Sequence, residues 1–319
     1  MLPEEKDYQR IMVIRLGARG DLVLCSPAFQ AIRAAYPRAI ITLLTQPQWM
    51  DFCRTMPWFD HVISDARPEF WRVGAWADLL RRVKDGDPQC IFDLQGKLRQ
   101  DVLYALLGGP WAGRDWSGAA WRCRYPRVWP PQPGWHYTDF VAAQLRAAGI
   151  MMPAAADYDW LDAPVDGLAL PEKFVLLIPG CAPTRPEKRW PAAHYAEIAT
   201  IMQGHGYQAV MIGTRAEAEV LAAIKALHPD VIDLGGRTTL LQIGGVARRA
   251  QAVIGNDTGP THIAAAVGAP TVALFSGSVN PVWSRPMGAR TAHLQAETLA
   301  ALPAGPVLQA LYAMLDKTA

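Results

Sequence analysis

Long apolar runs are missing from this sequence, and no stretch approaches the ~18 consecutive apolar residues of a membrane-spanning helix. The first ten residues, MLPEEKDYQR, are polar and acidic, which is not the composition of a signal peptide. The five cysteines are scattered, odd in number and without CxxC spacing, so we expect neither a disulfide framework nor a zinc site. Together these absences predict a cytoplasmic protein with free thiols.

A large excess of charge is missing as well. The 319 residues carry 31 Lys and Arg against 29 Asp and Glu, so the composition does not indicate a nucleic-acid partner. A GxGxxG fingerprint followed by an acidic residue at the end of the second strand is also absent. That absence argues against a nicotinamide dinucleotide site, because the motif supplies both the phosphate turn and the ribose carboxylate.

What is present is an alternation of apolar strands and helices in two stretches of the chain. Such alternation predicts α/β units with parallel sheets covered on both faces. We expect a first domain over 1–155, a linker over 156–172, a second domain over 173–295 and a helical tail over 296–319 that could pack back on the first domain. Because open sheets bind ligands at the carboxyl ends of their strands, a cleft between the two halves is the expected site.

The stretch VIGNDTGPTH, residues 253–262, is the most informative in the chain. A β-branched apolar run predicts a buried strand, and it is followed by Asp257 and Thr258, two residue types that often cap the start of a helix. Pro260 suits the first turn of a helix of small residues. The start of that helix carries about half a positive charge, so it would seat a phosphate. The alternative is an ordinary strand–helix connection.

A second candidate phosphate site is the loop PGCAPTRPEKRWP, residues 179–191. It follows a predicted strand, carries Arg185, Lys188 and Arg189, and precedes a predicted helix. Basic side chains beside a helix start can clamp a diphosphate, and the Thr184 hydroxyl could add a donor. The alternative is a solvated basic loop. Glu217, after the next strand, could receive a ribose hydroxyl or could be a first-turn helix carboxylate.

Asp21 ends a glycine-containing turn, Gly17–Asp21, after the first predicted strand, and a helix is predicted over 22–36. A carboxylate at the mouth of a sheet could accept a proton from an incoming hydroxyl. The alternative role is helix N-capping, which Asp often performs.

Residues 111–135 hold five tryptophans and four arginines against one aspartate. Trp and Arg together suit a lipid–water interface, and Arg also suits a phosphorylated or carboxylated acceptor. The alternative is a loop whose tryptophans pack on the first domain. The candidate cations for an acceptor or membrane surface are Arg19, Arg114, Arg122, Arg124 and Arg127.

Three of these stretches, in this order, resemble the lipopolysaccharide heptosyltransferases of glycosyltransferase family nine. They are RLGARGDLVLCSPAFQAIRAAYP, PGCAPTRPEKRWPAAHYAEIA and NDTGPTHIAAAVGAPTVALFSGSVNP. The resemblance implies a GT-B architecture, in which two Rossmann-like domains face each other across a cleft. The first would bind the acceptor and the second the nucleotide sugar. It also implies an inverting, metal-independent transfer, typically from ADP-heptose.

Residue by residue, the resemblance gives Asp21 the role of the base and Lys188 that of the lysine on the donor diphosphate. It places the donor site at Thr184, Asp257, Thr258, Gly259 and His262, with Glu217 as a weaker match near the ribose. The sequence departs from the family pattern at Cys181 and Pro183, and at Ser276-Gly277-Ser278, where a more familiar member reads close to GPT. The donor half therefore has the stronger support.

We expect an enzyme that moves a sugar from a nucleotide sugar, with no other cofactor and no metal, to an anionic glycolipid or glycan acceptor. In agreement with a metal-free design, no DxD-type acidic pair stands in a loop at a candidate donor site. Peripheral contact with the cytoplasmic face of the inner membrane is a further expectation. The alternatives are a GT-B transferase with another nucleotide sugar and a non-catalytic nucleotide-binding module.

Overall fold

Two parallel β-sheets organise the residues that the computed structural model describes, 7–182 and 184–315. The first unit comprises the chain up to Ala18 and Cys25–Asp157, and the second comprises Arg19–Leu24 and the chain from Tyr158 onward. Pro183, one of the departures from the family pattern, lies outside the described residues.

The first unit contains a five-stranded sheet. Its strands are β1 (Arg10–Ile14), β2 (Ile40–Thr45), β3 (His61–Ser64), β4 (Cys90–Asp93) and β5 (Asp115–Ser117). Their order is β3-β2-β1-β4-β5, and all of the pairings are parallel. The helices of this unit are α2 (Ser26–Ala35), α3 (Met50–Arg54), α4 (Val73–Asp85), α5 (Leu98–Leu106) and α6 (Tyr137–Ala147). The central strands are buried along most of their length, as continuous apolar runs in parallel sheets require.

The second unit contains a six-stranded sheet. Its strands are β6 (Phe174–Ile178), β7 (Gln208–Met211), β8 (Ile232–Asp233), β9 (Ala252–Asn256), β10 (Thr271–Ser276) and β11 (Thr291–Ala296). Their order is β11-β10-β9-β6-β7-β8, again with parallel pairings. The helices of this unit are α1 (Arg19–Leu24), α7 (Ala192–Gly204), α8 (Ala218–Leu227), α9 (Leu240–Arg249), α10 (Gly259–Ala266), α11 (Pro281–Ser284) and α12 (Ala304–Leu315).

Each sheet has a point where the strand order reverses, between β1 and β4 in the first unit and between β6 and β9 in the second. Ligands of doubly wound sheets bind outside the carboxyl ends of the strands at such a point. The stretches that follow β6 and β9 are the two predicted phosphate sites, so the topology makes them neighbours at one sheet edge.

The helix predicted over 22–36 is divided in the structure into α1 and α2 at Cys25. Pro27, near the start of α2, has no N–H with which to continue the helical ladder from α1. Helix α1 packs against α10 and therefore groups with the second unit. Sequence periodicity alone does not register this division, because both segments are rich in apolar residues.

The sequence does not predict strand β5, the six-residue strand β11 or the short helix α11. β5 has three residues, and β11 is only half-buried at the edge of its sheet, so neither gives a strong apolar run. The C-terminal helix α12 packs on α7, β9 and β10 within the second unit. The Trp190 indole N–H donates to the Leu302 carbonyl at 2.8 Å, just before α12. Helix α12 of the predicted tail, 296–319, is thus part of the core of the second unit, and residues 316–319 lie outside the described residues.

The segment predicted as a linker, 156–172, forms two short 3-10 turns, Asp159–Leu161 and Asp166–Leu168. Leu161 is fully buried, and its carbonyl lies so close to Gly244 that a Cβ there would overlap it. Most of this segment is therefore packed on the second unit. Within the part of the chain that the structure describes, no helix combines the length and hydropathy needed to span a bilayer.

Candidate functional site

The candidate site lies at the carboxyl ends of β6 and β9 in the second unit. β6 leads into the basic loop, which contains a 3-10 turn, Pro186–Lys188. β9 ends at Asn256, and Asp257 and Thr258 connect it to α10. The two strands are parallel neighbours, with Ile178 opposite Gly255, so both connections leave the sheet at the same edge.

Asn256 holds these two connections together. Its side chain is fully buried, and its amide nitrogen donates to the carbonyls of Pro179 and Gly180 at 2.8 and 3.3 Å. Its amide oxygen accepts from the backbone N–H of Trp190 at 3.3 Å and from the Tyr195 hydroxyl at 3.0 Å. One side chain therefore makes hydrogen bonds to the backbone at both the beginning and the end of the basic loop. These bonds fix where Lys188 can lie.

The Lys188 ammonium lies 2.5 Å from Oδ2 of Asp257. On the other side of the carboxylate, Nε2 of His262 lies 3.5 Å from Oδ1 of Asp257. All three side chains are largely buried, with Lys188 the most exposed at 16%. The structure thus brings together Lys188, Asp257 and His262, which the sequence offered as separate members of two motifs.

The surroundings of Asp257 keep its carboxyl ionised. Burial by itself would raise the pKa of Asp257, but the hydrogen bond from His262 and the positive charge of Lys188 outweigh it and lower the pKa below its usual 3.8. A lysine ammonium has three protons, of which one is directed to Asp257. The other protons can meet an anion at the edge of the sheet.

Helix α10 begins immediately beside this ion pair. Thr258 is its N-cap in extended backbone conformation, and Pro260 occupies the first turn. The Thr261 hydroxyl donates to the carbonyl of Asn256 at 2.6 Å, which fastens the first turn to the end of β9. The positive end of this helix and Lys188 therefore flank the same place, and together they can hold a diphosphate.

Helix α1 packs closely on the start of α10. A Cβ added at Gly20 would fall 2.7 Å from the His262 ring, and one added at Gly259 would fall 2.6 Å from Cβ of Arg19. Both positions favour glycine because a Cβ would overlap the buried His262 ring at Gly20 and the Cβ of Arg19 at Gly259. Asp21 is the residue after Gly20 and lies in the first turn of α1. This packing groups Asp21 with His262 and Gly259 in the second unit.

Glu217 follows β7, and its carboxylate accepts from the backbone N–H and the hydroxyl of Thr214, at 2.6 and 3.0 Å. A Cβ added at Gly180 would overlap this carboxylate. Burial lowers the pKa of Arg19, while the negative charge of Glu217 opposes that change. Glu217 therefore caps the start of a helix and also lies at the edge where the basic loop begins.

The remaining loop residues are distributed around this edge. Thr184 is exposed. Arg185 pairs with Glu187, and its guanidinium also donates to the Ser278 hydroxyl at 3.2 Å. Ser276 and Ser278 lie 2.8 Å apart through their hydroxyl oxygens. The departure from the family pattern at 276–278 thus supplies hydroxyls to the basic loop.

The arginines of 111–135 do not form one surface. Arg127 is nearly buried, where it pairs with Asp101 at 2.8 Å and donates to the Gly118 carbonyl at 2.8 Å. Arg114 is half-buried, whereas Arg122 is exposed. Arg124 donates to the Tyr125 hydroxyl at 2.9 Å and lies 3.7 Å from Asp115. Arg19, grouped with these in the sequence, lies instead against Gly259.

Asn256 and the Arg185–Ser278 contact were missed by reasoning from the sequence. For Asn256 a signal was available, because an amide at the end of an apolar buried strand must find hydrogen-bond partners. For Arg185 and Ser278, 93 residues apart, no local signal exists.

The chain is similar to known proteins over most of its length. The model of glycosyltransferase family 9 (heptosyltransferase) matches residues 77–304. Lipopolysaccharide heptosyltransferase 2 of Escherichia coli strain K12 is 37% identical over 308 residues, which cover 87% of this chain and 85% of that protein.

Two solved structures share the fold. The structure of Escherichia coli ADP-heptose lipopolysaccharide heptosyltransferase II has a TM-score of 0.73 at 23% identity, and covers 97% of this chain and 99% of that chain. The structure of an Escherichia coli heptosyltransferase with ADP has a TM-score of 0.75 at 18% identity, and covers 96% of this chain and 99% of that chain. The predicted GT-B fold class, with two parallel-sheet α/β domains, is confirmed.

Proposed function

This chain belongs to glycosyltransferase family 9, and from that premise we propose that it transfers heptose from ADP-heptose to a lipopolysaccharide-core or related glycan acceptor. We further propose that the transfer inverts the anomeric centre and needs no metal. One observation carries the proposal: Lys188, ionised Asp257 and the start of α10 lie together at one edge of the second sheet.

In the proposed donor complex, the ADP diphosphate lies between Lys188 and the first turn of α10. Charge-assisted hydrogen bonds from an ammonium to phosphate oxygens are stronger than neutral ones, and the helix start adds its partial charge. The backbone of Thr258 and Gly259 forms the start of α10 beside the diphosphate. Thr184 would add a hydroxyl from the basic loop. Glu217 would receive a ribose hydroxyl at the neighbouring strand end.

In the proposed reaction, Asp21 accepts the proton of the acceptor hydroxyl as that oxygen attacks the anomeric carbon of the sugar. The bond from this carbon to the diphosphate oxygen breaks on the opposite face, so the configuration inverts. Negative charge develops on the departing ADP, and Lys188 with the first-turn N–H groups would stabilise it. Donors that are already in place when the charge develops need no reorganisation during the reaction.

The two expected partners are thus the nucleotide sugar and an anionic glycolipid or glycan, and the expected place of action is the cytoplasmic face of the inner membrane. Metal independence has its own test. Turnover should be unchanged after exhaustive treatment with EDTA, and recovery of a lost rate on adding back a divalent cation would contradict a metal-free transfer.

A donor panel tests the proposal as a whole. ADP-heptose should raise the melting temperature of the full chain more than GDP- or UDP-sugars do, because stabilisation grows with ligand concentration over the dissociation constant. Equal or larger shifts with another nucleotide sugar would favour the other GT-B transferase. Binding of ADP-heptose without hydrolysis or transfer to any glycan acceptor would favour the non-catalytic module. Fluorescence titration with NADH should show no binding.

A further inference from the structure

Helix α5 of the first unit has one buried face and exposes apolar side chains on the other. Gln100, Leu103, Tyr104 and Leu107 are buried beneath it. On the opposite side Leu98 is 70% exposed and Leu106 47% exposed, with Val102 half-buried between them. These three residues are four positions apart, so they form one stripe along the helix. An amphipathic helix ordinarily turns polar side chains away from its buried face, and this stripe is apolar instead.

The charged residues of α5 do not interrupt this stripe. Arg99 makes a two-pronged ion pair with buried Asp65, at 3.0 and 2.8 Å, and its guanidinium lies 4.4 Å from the Trp76 ring. Asp101 pairs with Arg127 at 2.8 Å. Both side chains are thus engaged at the flanks of the helix, and its outward side is left to Leu98, Val102 and Leu106.

Exposed aromatic side chains lie beside both ends of the stripe. At its N-terminal end, Phe70 stacks on Trp76, the ring that Arg99 covers, and Trp71 beside it is 73% exposed. Beyond its C-terminal end, the Trp121 ring, 38% exposed, lies against Gly109 and packs on Tyr104 of the buried side of α5. Among the described residues, eight of the thirteen large hydrophobic side chains that are exposed lie between Phe70 and Trp129. Exposed apolar side chains that lie together mark an interaction surface, whereas single ones do not.

The charge around this surface is mainly positive. Over 66–129 the exposed charged residues are seven bases, Arg67, Arg72, Arg81, Lys84, Lys97, Arg122 and Arg124, and four acids, Glu69, Asp78, Asp85 and Asp87. Exposed Trp and Leu flanked by Lys and Arg is the composition of protein surfaces that enter the lipid–water interface, where the bases meet anionic headgroups.

We propose that the outward stripe of α5, with the aromatic side chains at its ends, is a contact face for an anionic lipid bilayer. Leu98, Leu106 and Trp71 enter the interfacial region, and the surrounding bases bind phosphate headgroups. This face shares only Trp121 and Arg122 with the 111–135 stretch singled out in the sequence, because it centres on helix α5 and on residues 70–73. It does not depend on the proposed transfer activity.

The test is sedimentation of the full chain with vesicles made of phosphatidylethanolamine and phosphatidylglycerol in equal parts. The double variant Leu98→Ser with Leu106→Ser should lower the partition coefficient about tenfold or more, since it removes two inserted leucines. Trp71→Ser should lower it several-fold. Leu227→Ser, which removes a leucine exposed by 59% on α8, is the matched control and should bind like the wild type.

Three outcomes would overturn the proposal. The first is unchanged sedimentation of both face variants, and the second is equal binding of the wild type to vesicles of phosphatidylcholine alone. The third is a dimer in solution, by light scattering, that the double variant dissociates, because the face would then join two copies of the chain. Far-UV circular dichroism checks that each variant folds. The assay contains neither donor nor acceptor, so a failed transfer proposal cannot change its result.

Discussion

Asp93 and Asp257 stand at comparable places in the two sheets and have opposite properties. Asp93 ends β4, and Asp257 follows β9, each at the point where the strand order reverses. Burial raises the pKa of Asp93 to about 7, although the backbone N–H groups of Gly96 and Gln95 oppose this. Lys188 and His262 do the reverse for Asp257 and lower its pKa despite its burial.

The difference lies in the partners of the two carboxyl groups. Oδ1 of Asp93 accepts from the N–H groups of Gln95 and Gly96 at 2.9 and 3.1 Å, while its Oδ2 has no hydrogen-bond partner among the described residues. Asp257 has a cation within 2.5 Å. The second sheet therefore presents fixed charges at its ligand edge, whereas the first presents a carboxyl group that burial keeps protonated in acid and up to about neutral pH.

The largest expected effect on turnover comes from replacing Asp21, and it distinguishes Asp21 from Asp93 as the general base. Asp21→Asn should lower kcat by roughly 10²-fold or more, because an amide cannot accept the acceptor proton. The dissociation constant for ADP should stay near that of the wild type, since the donor contacts remain. Single-turnover kinetics with calorimetry of ADP binding measure both quantities. A nearly wild-type rate would leave Asp21 as a helix residue only.

The next largest effect is on stability and concerns Asn256, whose side-chain amide links the loop after β6 to the end of β9. Asn256→Ala should lower the free energy of unfolding by about 2–3 kcal/mol, because the N–H of Trp190, the Tyr195 hydroxyl and two carbonyls lose a buried partner. Asn280→Ala, which removes an exposed N-cap of α11, is the control and should cost about 1 kcal/mol. Urea denaturation compares the two, and equal losses would contradict the special role of Asn256.

The cation that distinguishes Asp257 from Asp93 can be removed directly. Lys188→Ala should weaken ADP binding by about tenfold or more, because a charge-assisted contact to phosphate is lost. Lys173→Ala, at an exposed lysine just before β6, should leave the affinity unchanged. Calorimetric titration with ADP decides, and an unchanged affinity of the Lys188 variant would discard the clamp.

The smallest effect on turnover is expected at Asp93. The amide oxygen of Asp93→Asn can still accept from the two loop N–H groups, so kcat should stay within about twofold of the wild type. The pH dependence of stability should change instead. Because the pKa of Asp93 is raised from 3.8 to about 7 on folding, its contribution is full below about pH 4 and is lost as the pH rises through 7.

The variant should lack this loss, so its urea midpoint should fall less than that of the wild type between pH 4 and 7. Asp166→Asn, at an exposed position, is the control and should follow the wild type. If the Asp93 variant shows the same pH dependence as the wild type, then the Asp93 carboxyl of the folded wild type is ionised throughout this pH range. A large fall in its kcat would instead favour Asp93 over Asp21 as the proton acceptor.

Local patterns predicted the alternation of strands and helices along the chain, the two α/β units and the family. The apolar runs of β6 and β9 and the Asp257–Gly259 turn are signals within about ten residues, and hydrophobic periodicity reads such signals well. The same locality explains the failures. The packing of α1 on α10, and the hydrogen bond from Trp190 to Leu302 just before α12, join residues more than 100 positions apart.

By itself, then, the sequence determined which residues can carry charge at strand ends and which family the chain resembles. Only the tertiary structure decided that Lys188 meets Asp257, 69 residues away, that Asn256 joins their two connections, and that Arg127 is an internal ion pair. The physical reason is that a carboxyl or ammonium group takes its properties from what surrounds it. Those surroundings are assembled from distant parts of the chain when the sheets form.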